Sequence, residues 1–414
     1  MSDVSHHGNY HIYQWDAASK RLRAPGAGWC EVTPFWHRLA ARGLPAIALD
    51  VPFSDTRKQV ANVVEVIGWG MHEGMWRTSR PAGLMHELNR RHGPASQPRE
   101  GPGVRPESDI LPELDGLVGD VERRVAVIED LASRFDWRLM LAVFSETHRT
   151  GHWFWSERGT GIPRGGLKRV LEAFDAVLPR LRRLLRPEDH LAVFSVHGMA
   201  ATYDADRVGE AALLYLDPSL QGLARKLDPV WLLRHTLPMG LVRYIARKLP
   251  QASYNWALFH LQNAGRDWSR LPSIINPLDN LVYVNANLEG AEAKEAHLAW
   301  LRSQLEGMTT ADGRPVAESF FEPAQTYKGA RLALLPDLVV KPAQGPLGPD
   351  FIMADGARRS APRRNSRDGE HVSDAFYVQV GPGIAAHSAG PEVRAEQLAR
   401  FLCEPAGLVE ILDP

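Results

Sequence analysis

The chain has 414 residues, of which 44% are hydrophobic, and its 48 Lys and Arg residues nearly balance its 49 Asp and Glu residues. That length predicts one large α/β domain or two ordinary domains, and the lack of a basic excess argues against a nucleic-acid partner. Two cysteines, Cys30 and Cys403, exclude a disulfide scaffold and a cysteine-rich zinc module. No apolar run has the length of a transmembrane helix, and the polar start is unlike a signal peptide: MSDVSHHGNYHIYQ. We therefore expect a cytoplasmic protein with no membrane partner.

Apolar runs alternate with helical periodicity in the first part of the chain, which is typical of strands covered by helices on both faces. We predict a helix from Pro34 to Arg42, followed by strands at residues 46–51 and 62–70. The Pro- and Gly-rich residues 93–107 predict a surface loop. A long amphipathic helix follows, because apolar residues recur every three or four positions: Leu111, Leu114, Val118, Val121, Val125, Ile128 and Leu131.

The sequence LAVFS occurs at residues 141–145 and again at residues 191–195, each time after an amphipathic helix. We predict strands at 139–145 and 191–195, and we expect them to be neighbouring parallel strands of one sheet. Both strands are expected to run directly into loops that carry histidines.

The later part of the chain changes character. Residues 205–270 are rich in Leu, Arg and Trp and are interrupted by prolines, which predicts a helical cap insertion. Strands are expected again at 281–284, 337–340 and 375–380, and a final helix at about 392–402. The predicted division is therefore a first part of an α/β domain at 1–204, the cap at 205–270 and the remainder of the α/β domain at 271–414.

Three histidine groups follow or precede predicted strands. His148 and His152 come four residues apart after the strand at 139–145, His197 follows the strand at 191–195, and His371 precedes the strand at 375–380. Open α/β sheets bind ligands beyond the carboxyl ends of their strands, and convergent imidazoles there can hold Zn, Mn or Fe. The alternative is that each histidine is a hydrogen-bonded structural residue. A zinc protease with an HExxH motif is disfavoured, because Arg149 stands where the general base would be.

The order of these motifs resembles the alkaline phosphatase superfamily, in particular its type I phosphodiesterase/nucleotide pyrophosphatase and phosphohydrolase/phosphomutase-like branches, to which the sulfatases are also related. The similarity rests on the following segments: ETHxxGH at 146–152, SxHGM at 195–199, GxH at 369–371, HHGNYHIYQWD at 6–16, TPFWHRLAARGLPAIALDVP at 33–52, YVNANLEGAEA at 283–293 and YKGARLALLPDLVV at 327–340. The resemblance implies a three-layer α/β/α sandwich with a mostly parallel central sheet and a helical cap insertion.

The resemblance also implies two bound divalent metal ions, expected to be Zn, with Mn and Fe as alternatives. His148, His152 and His371 match the ligands of one ion, with His148 replacing the family's usual Asp. His197 matches a ligand of the second ion, but Val196 stands where the family has an Asp and cannot coordinate a metal. Glu146 is expected to be an extra carboxylate ligand, a solvated side chain or a group that supports the ligands.

In the family a first strand with a metal-binding Asp, and then a Ser or Thr nucleophile, precede the segment that resembles HHGNY. That segment starts at His6 here, so no catalytic nucleophile is assigned. The expectation is a metal-dependent hydrolase of phosphate esters that is fragmentary or impaired by the missing segment. The alternatives are a non-catalytic metal- or anion-binding relative and a sulfatase-like hydrolase. Without the first strand, an exposed sheet edge would favour self-association.

Residues 356–371 contain five arginines and are expected to form a loop. Guanidinium groups bind phosphate and sulfate oxygens bidentately, so Arg363, Arg364 and Arg367 are candidate contacts for a small anionic ester substrate. A solvated loop with no ligand is the alternative.

Overall fold

The computed structural model describes a large part of the chain. The described residues are 2–3, 14–16, 18–19, 21–23, 33–52, 54, 60–71, 77–96, 107–155, 165–201, 205–216, 229, 236–250, 253, 256–257, 260, 271–278, 281–329, 332–343, 350–361, 367, 369–384 and 397–404.

Helices and strands alternate along these residues. The helices are α1 (Phe35–Ala41), α2 (Leu84–His92), α3 (Glu107–Arg134), α4 (Ser145–Trp153), α5 (Gly166–Arg182), α6 (Ala205–Leu216), α7 (Met239–Lys248), α8 (Ala291–Glu306), α9 (Pro323–Thr326) and α10 (Leu398–Cys403). The strands are β1 (Ser2–Asp3), β2 (Gln14–Asp16), β3 (Arg21–Arg23), β4 (Ala46–Leu49), β5 (Val63–Ile67), β6 (Thr78–Arg80), β7 (Leu139–Ala142), β8 (Leu191–Phe194), β9 (Gly198–Ala201), β10 (Ser273–Leu278), β11 (Leu281–Ala286), β12 (Thr309–Thr310), β13 (Ala317–Phe321), β14 (Tyr327–Lys328), β15 (Leu338–Pro342), β16 (Asp350–Ile352), β17 (Arg358–Ser360), β18 (Gly369–Val372) and β19 (Tyr377–Val380).

The chain divides into two compact units. Unit 1 comprises residues 1–26, 99–105 and 201–370, and unit 2 comprises residues 27–98, 106–200 and 371–414. The domain boundaries expected from the sequence, at 204 and 270, differ from this division and stay a prediction.

Unit 2 contains a four-stranded sheet in the order β6-β5-β4-β7. Strand β4 pairs in parallel with β5 and with β7, whereas β6 is antiparallel to β5. The apolar sequences of β4 and β5 are buried throughout, as expected for parallel strands covered on both faces. Helix α3 packs on α4 and α5, and it buries the stripe predicted from its periodicity, including Leu114, Val121, Val125, Ile128 and Leu131.

Unit 1 is built around an antiparallel four-stranded sheet in the order β10-β11-β15-β13. Buried and half-buried residues alternate along β11, so Val282, Val284 and Ala286 face the core. Helix α6 packs on β10, β11 and β15. The core of this unit also contains Leu301, Leu305 and Phe351.

The structure confirms a mixed α/β protein but not a mostly parallel sheet, because most of the described strand pairs are antiparallel. The two LAVF segments are not neighbours among the described strands, contrary to expectation. Strand β7 pairs with β4, whereas β8 pairs in antiparallel register with β19. The sandwich layers and the helical cap stay predictions. None of the described helices combines the length and the apolar character needed to cross a membrane.

The ribbon formed by β8 and β19 leaves apolar side chains in solvent. Val378 is 57% exposed, and Phe376, Val380 and Phe194 are exposed as well. Among the described strands β8 and β19 pair only with each other, and an edge strand with exposed apolar side chains can pair with the edge strand of a second copy.

We therefore expect the protein to self-associate through this ribbon, and we expect Val378→Lys to weaken that association because a charge on an edge strand opposes edge pairing. Size-exclusion chromatography over a concentration series should show a larger monomer fraction for Val378→Lys than for the unmodified protein. Leu241→Lys, at an exposed position of α7, is the matched control and should elute like the unmodified protein. Identical elution of all three proteins would contradict the prediction.

Candidate metal centre

Helix α4 carries two of the predicted metal ligands. The sequence predicts a strand to residue 145 and a loop beyond it, but β7 ends at Ala142 and α4 begins at Ser145. His148 and His152 are four residues apart and therefore lie on the same face of α4. A rigid helix therefore presents both imidazoles side by side.

The structure brings His148, His152 and His371 together. The Nε2 atoms of His148 and His152 are 3.2 Å apart, and one ligand atom from each of the three residues lies within 4.8 Å of the other two. His152 is fully buried, whereas His148 and His371 are half-buried. The third histidine comes from β18, so a helix and a strand distant in sequence contribute to one cluster.

His197 lies beside this cluster and not within it. Its ring centroid is 3.9 Å from that of His371, with the ring planes inclined by 33°, and its Nδ1 is 3.1 Å from the carbonyl oxygen of Gly198. The side chain of Val196, which replaces an expected carboxylate, is 61% exposed. The group whose ligand atoms approach one another consists of His148, His152 and His371, judged over the described residues.

Two glycines permit the close approach of these segments. A Cβ at Gly198 would overlap the carbonyl oxygen of Asp374, and a Cβ at Gly151 would come within 2.9 Å of the Met199 side chain. The segment after His197 therefore packs directly against α4 and against the chain just after β18. This packing places His197 next to His371.

Glu146 is not brought to the histidines. It lies two residues before His148, which is about 200° around the helix, and its buried carboxylate accepts hydrogen bonds from Arg124 instead. The prediction that Glu146 is an extra carboxylate ligand is therefore wrong. Arg149 also turns away from the histidines and donates to the carbonyl oxygens of Ser96 and Met71.

The predicted arginine loop is only partly a loop. Arg358 and Arg359 lie in β17, because residues 350–352 pair with 358–360 as an antiparallel ladder. His371 lies in β18. Arg367 lies 3.5 Å from the carboxylate of Glu370. Arg363 and Arg364 lie outside the described residues.

The three histidines fit the requirements of a zinc ion. Zinc–imidazole bonds of about 2.0–2.1 Å in tetrahedral geometry separate two ligand nitrogens by about 3.3 Å. The distance of 3.2 Å between the Nε2 atoms of His148 and His152 already matches that separation. His371 adds a third possible ligand atom within 4.8 Å of the other two.

Residues 3–228 match the family described as type I phosphodiesterase/nucleotide pyrophosphatase, which is more than half of the chain. The chain belongs to this family. The matched segment includes His148, His152 and His197, whereas His371 lies beyond it. Membership in the type I phosphodiesterase/nucleotide pyrophosphatase family supports phosphoester hydrolysis as the class of reaction.

Solved structures similar to this chain include those of one protein from two species. Human ectonucleotide pyrophosphatase/phosphodiesterase 5 is 11% identical, with a TM-score of 0.47, over 97% of this chain and 79% of that chain. Murine ectonucleotide pyrophosphatase/phosphodiesterase 5 is 12% identical, with a TM-score of 0.40, over 92% of this chain and 74% of that chain. No curated protein matches the sequence.

Proposed function

We propose that this protein is a metal-dependent hydrolase of phosphate esters whose metal ion is bound by His148, His152 and His371. The observation that carries the proposal is the convergence of one ligand atom from each of these residues within 4.8 Å. Family membership supports the reaction class. A divalent ion bound there would polarise the ester and neutralise charge on its oxygens.

The three residues have different tasks in this proposal. His148 and His152 supply two nitrogens at a separation set by one turn of α4, and His371 supplies the third from β18. Three protein ligands leave a fourth tetrahedral position accessible to a ligand oxygen, as in catalytic zinc sites. A set of neutral imidazoles favours Zn, with Mn and Fe as alternatives. His197, whose ring centroid is 3.9 Å from that of His371, is proposed as a ligand of a second ion, for which the expected Asp is replaced by Val196.

A small anionic ester is the proposed substrate. Arg363, Arg364 and Arg367 are proposed to contact its oxygens, since guanidinium groups bind such oxygens bidentately. Their position in the chain, immediately before His371, supports that role.

A non-catalytic metal-binding relative is the second candidate. Val196 favours it, because an exposed valine next to His197 supplies no oxygen for a second metal ion. A sulfatase-like hydrolase is a variant of the first candidate that would act on sulfate esters instead of phosphate esters.

Metal titration followed by an ester assay tests the proposal. The chelator-treated protein should bind one Zn²⁺ per chain by calorimetry, and the variant His148→Ala/His152→Ala/His371→Ala should not bind it. Hydrolysis of bis(4-nitrophenyl) phosphate, 4-nitrophenyl phosphate and 4-nitrophenyl sulfate is then compared with and without metal. Metal-stimulated release from a phosphate ester supports the proposal, and release from the sulfate alone supports the sulfatase variant. Zinc binding without any hydrolysis supports the non-catalytic relative, whereas zinc binding that persists in the triple variant overturns the site.

A further inference from the structure

Glu146 and Thr150 lie on the face of α4 opposite the two histidines, and both are buried. Ser145 and Arg149 are further buried polar residues of this short helix. We propose that Arg124 is a positioning residue for the metal centre, because it fixes α4 through Glu146 and thereby sets where His148 and His152 stand. This inference rests on the proposed function and names a residue that touches neither metal nor substrate.

Arg124 joins α4 to the sheet of unit 2. Its Nε lies 3.0 Å and 3.1 Å from the two carboxylate oxygens of Glu146, and its Nη2 lies 2.8 Å from Glu146 Oε1. Its Nη1 donates to Asp50 Oδ2 at 2.8 Å. The planar guanidinium therefore bridges two carboxylates, and such a fork fixes direction as well as distance.

Asp50 is itself held by the sheet. It follows β4 directly, and its carboxylate accepts hydrogen bonds from the backbone N–H of Trp69 at 2.8 Å and of Gly70 at 2.7 Å. The position of Glu146 is thus tied through Arg124 to the ends of two central strands. The helix that carries the proposed metal ligands is thereby connected to the buried strands of the sheet.

The bridge has little freedom to move. The Arg124 side chain is fully buried, with its guanidinium 5.1 Å from the Trp69 ring centroid and 5.8 Å from that of Phe144. A Cβ at Gly70 would overlap Arg124 Nη2, so the glycine makes room for the guanidinium. Ser145 Oγ donates to the carbonyl oxygen of Gly70, which holds the first turn of α4 at the same point.

The charges of this cluster are matched. Burial alone would lower the pKa of Arg124, but Glu146 and Asp50 raise that pKa above its ordinary value, so the guanidinium stays charged. Buried ion pairs of this kind contribute little net stability compared with apolar side chains of the same shape. Placement of α4 is a role that an apolar pair could not perform.

Cobalt titration of Arg124→Lys tests the inference. Lysine retains the charge and reaches one carboxylate, but it lacks the fork. We expect Co²⁺ affinity to fall, by no more than the roughly tenfold to hundredfold seen when a direct partner of a metal ligand is removed. The visible absorption of bound Co²⁺ should also change, because the ligand geometry changes.

Arg180→Lys is the matched control. Arg180 is a partly exposed arginine of α5 in unit 2, and it pairs with Glu129 of α3 without contacting a carboxylate of α4. Its variant should keep the affinity and the cobalt spectrum of the unmodified protein. A purely structural role of Arg124 would lower the folded fraction but leave the spectrum and the affinity of the folded molecules unchanged, and that result would overturn the inference.

Glu146→Asp provides a second variant that retains both charges and shortens the link by one methylene group. Glu146→Asp should lower Co²⁺ affinity and alter the cobalt spectrum in the same way as Arg124→Lys. If Arg124→Lys does not melt cooperatively, Glu146→Asp is the variant that tests whether Arg124 positions α4. Glu129→Asp is its control. Failure of the unmodified protein to bind Co²⁺ would overturn the proposed function, whereas normal binding by a folded Glu146→Asp would overturn only the role of Arg124.

Discussion

Replacing His152 by alanine is expected to abolish divalent-metal binding. His152 is the most buried of the three clustered histidines, and its Nε2 lies 3.2 Å from that of His148. With one nitrogen gone, the remaining two histidines cannot enclose an ion. We expect the affinity for Zn²⁺ to fall by more than the roughly 10–100-fold that removal of an outer partner costs a metal site.

Isothermal titration calorimetry of the chelator-treated proteins measures this effect. His86→Ala is the matched control, because His86 is an exposed histidine on α2 in the same unit. The control should bind Zn²⁺ like the unmodified protein. Equal affinities for His152→Ala and the unmodified protein would place the metal elsewhere.

Replacing Asp50 by asparagine is expected to destabilise the protein strongly without touching a metal ligand. Asp50 is fully buried, with a φ of 56°, and it accepts hydrogen bonds from Trp69 N, Gly70 N and Arg124 Nη1. Asparagine tolerates this left-handed backbone conformation, so the substitution removes the charge and places an amide against donor groups. Breaking a buried ion pair costs about 3–5 kcal/mol.

Thermal unfolding measures the loss. At roughly 2–4 °C per kcal/mol for a unit of this size, a loss of about 3 kcal/mol lowers the Tm by roughly 6–12 °C. Asp115→Asn is the control, because Asp115 pairs with Arg169 on an exposed surface, where an ion pair contributes about 1 kcal/mol or less. A Tm of Asp50→Asn within about 2 °C of the control would contradict this account of the buried cluster.

The convergence of the three histidines follows from the sequence because their order and spacing match a family pattern. The secondary structure around them does not follow from the sequence. The apolar run LAVFS predicts a strand through Ser145, yet the side chain of Ser145 bonds to Gly70 and starts a helix. That contact joins residues far apart in sequence, and no local pattern encodes it.

The pairing of the strands also could not be predicted from local sequence. The second LAVF segment is the whole of β8, and the first two residues of the other LAVF segment end β7, so the presence of a strand at each place is predictable. Their neighbours are β4 in one case and β19 in the other, which depends on the rest of the chain. The antiparallel pairs of unit 1 are likewise set by partners that periodicity does not identify.

The buried cluster of Asp50, Arg124 and Glu146 was not predicted, although one signal for it exists. Arg124 lies three residues after Val121 and four before Ile128, so it falls on the apolar stripe of α3. A charged residue on such a stripe needs a buried partner. The stripe predicts that a partner exists, but only the folded chain shows which carboxylates provide it.

The path of the chain between the units sets the order in which the ligands of the proposed metal centre are synthesised. The chain leaves unit 2 after Ala200, forms most of unit 1, and returns to unit 2 at His371. During synthesis His148 and His152 emerge from the ribosome early, and N-terminal parts fold first. The third histidine emerges more than 200 residues after His152. Until then a nascent chain contains only two of the three proposed ligands, so the proposed metal centre is completed late.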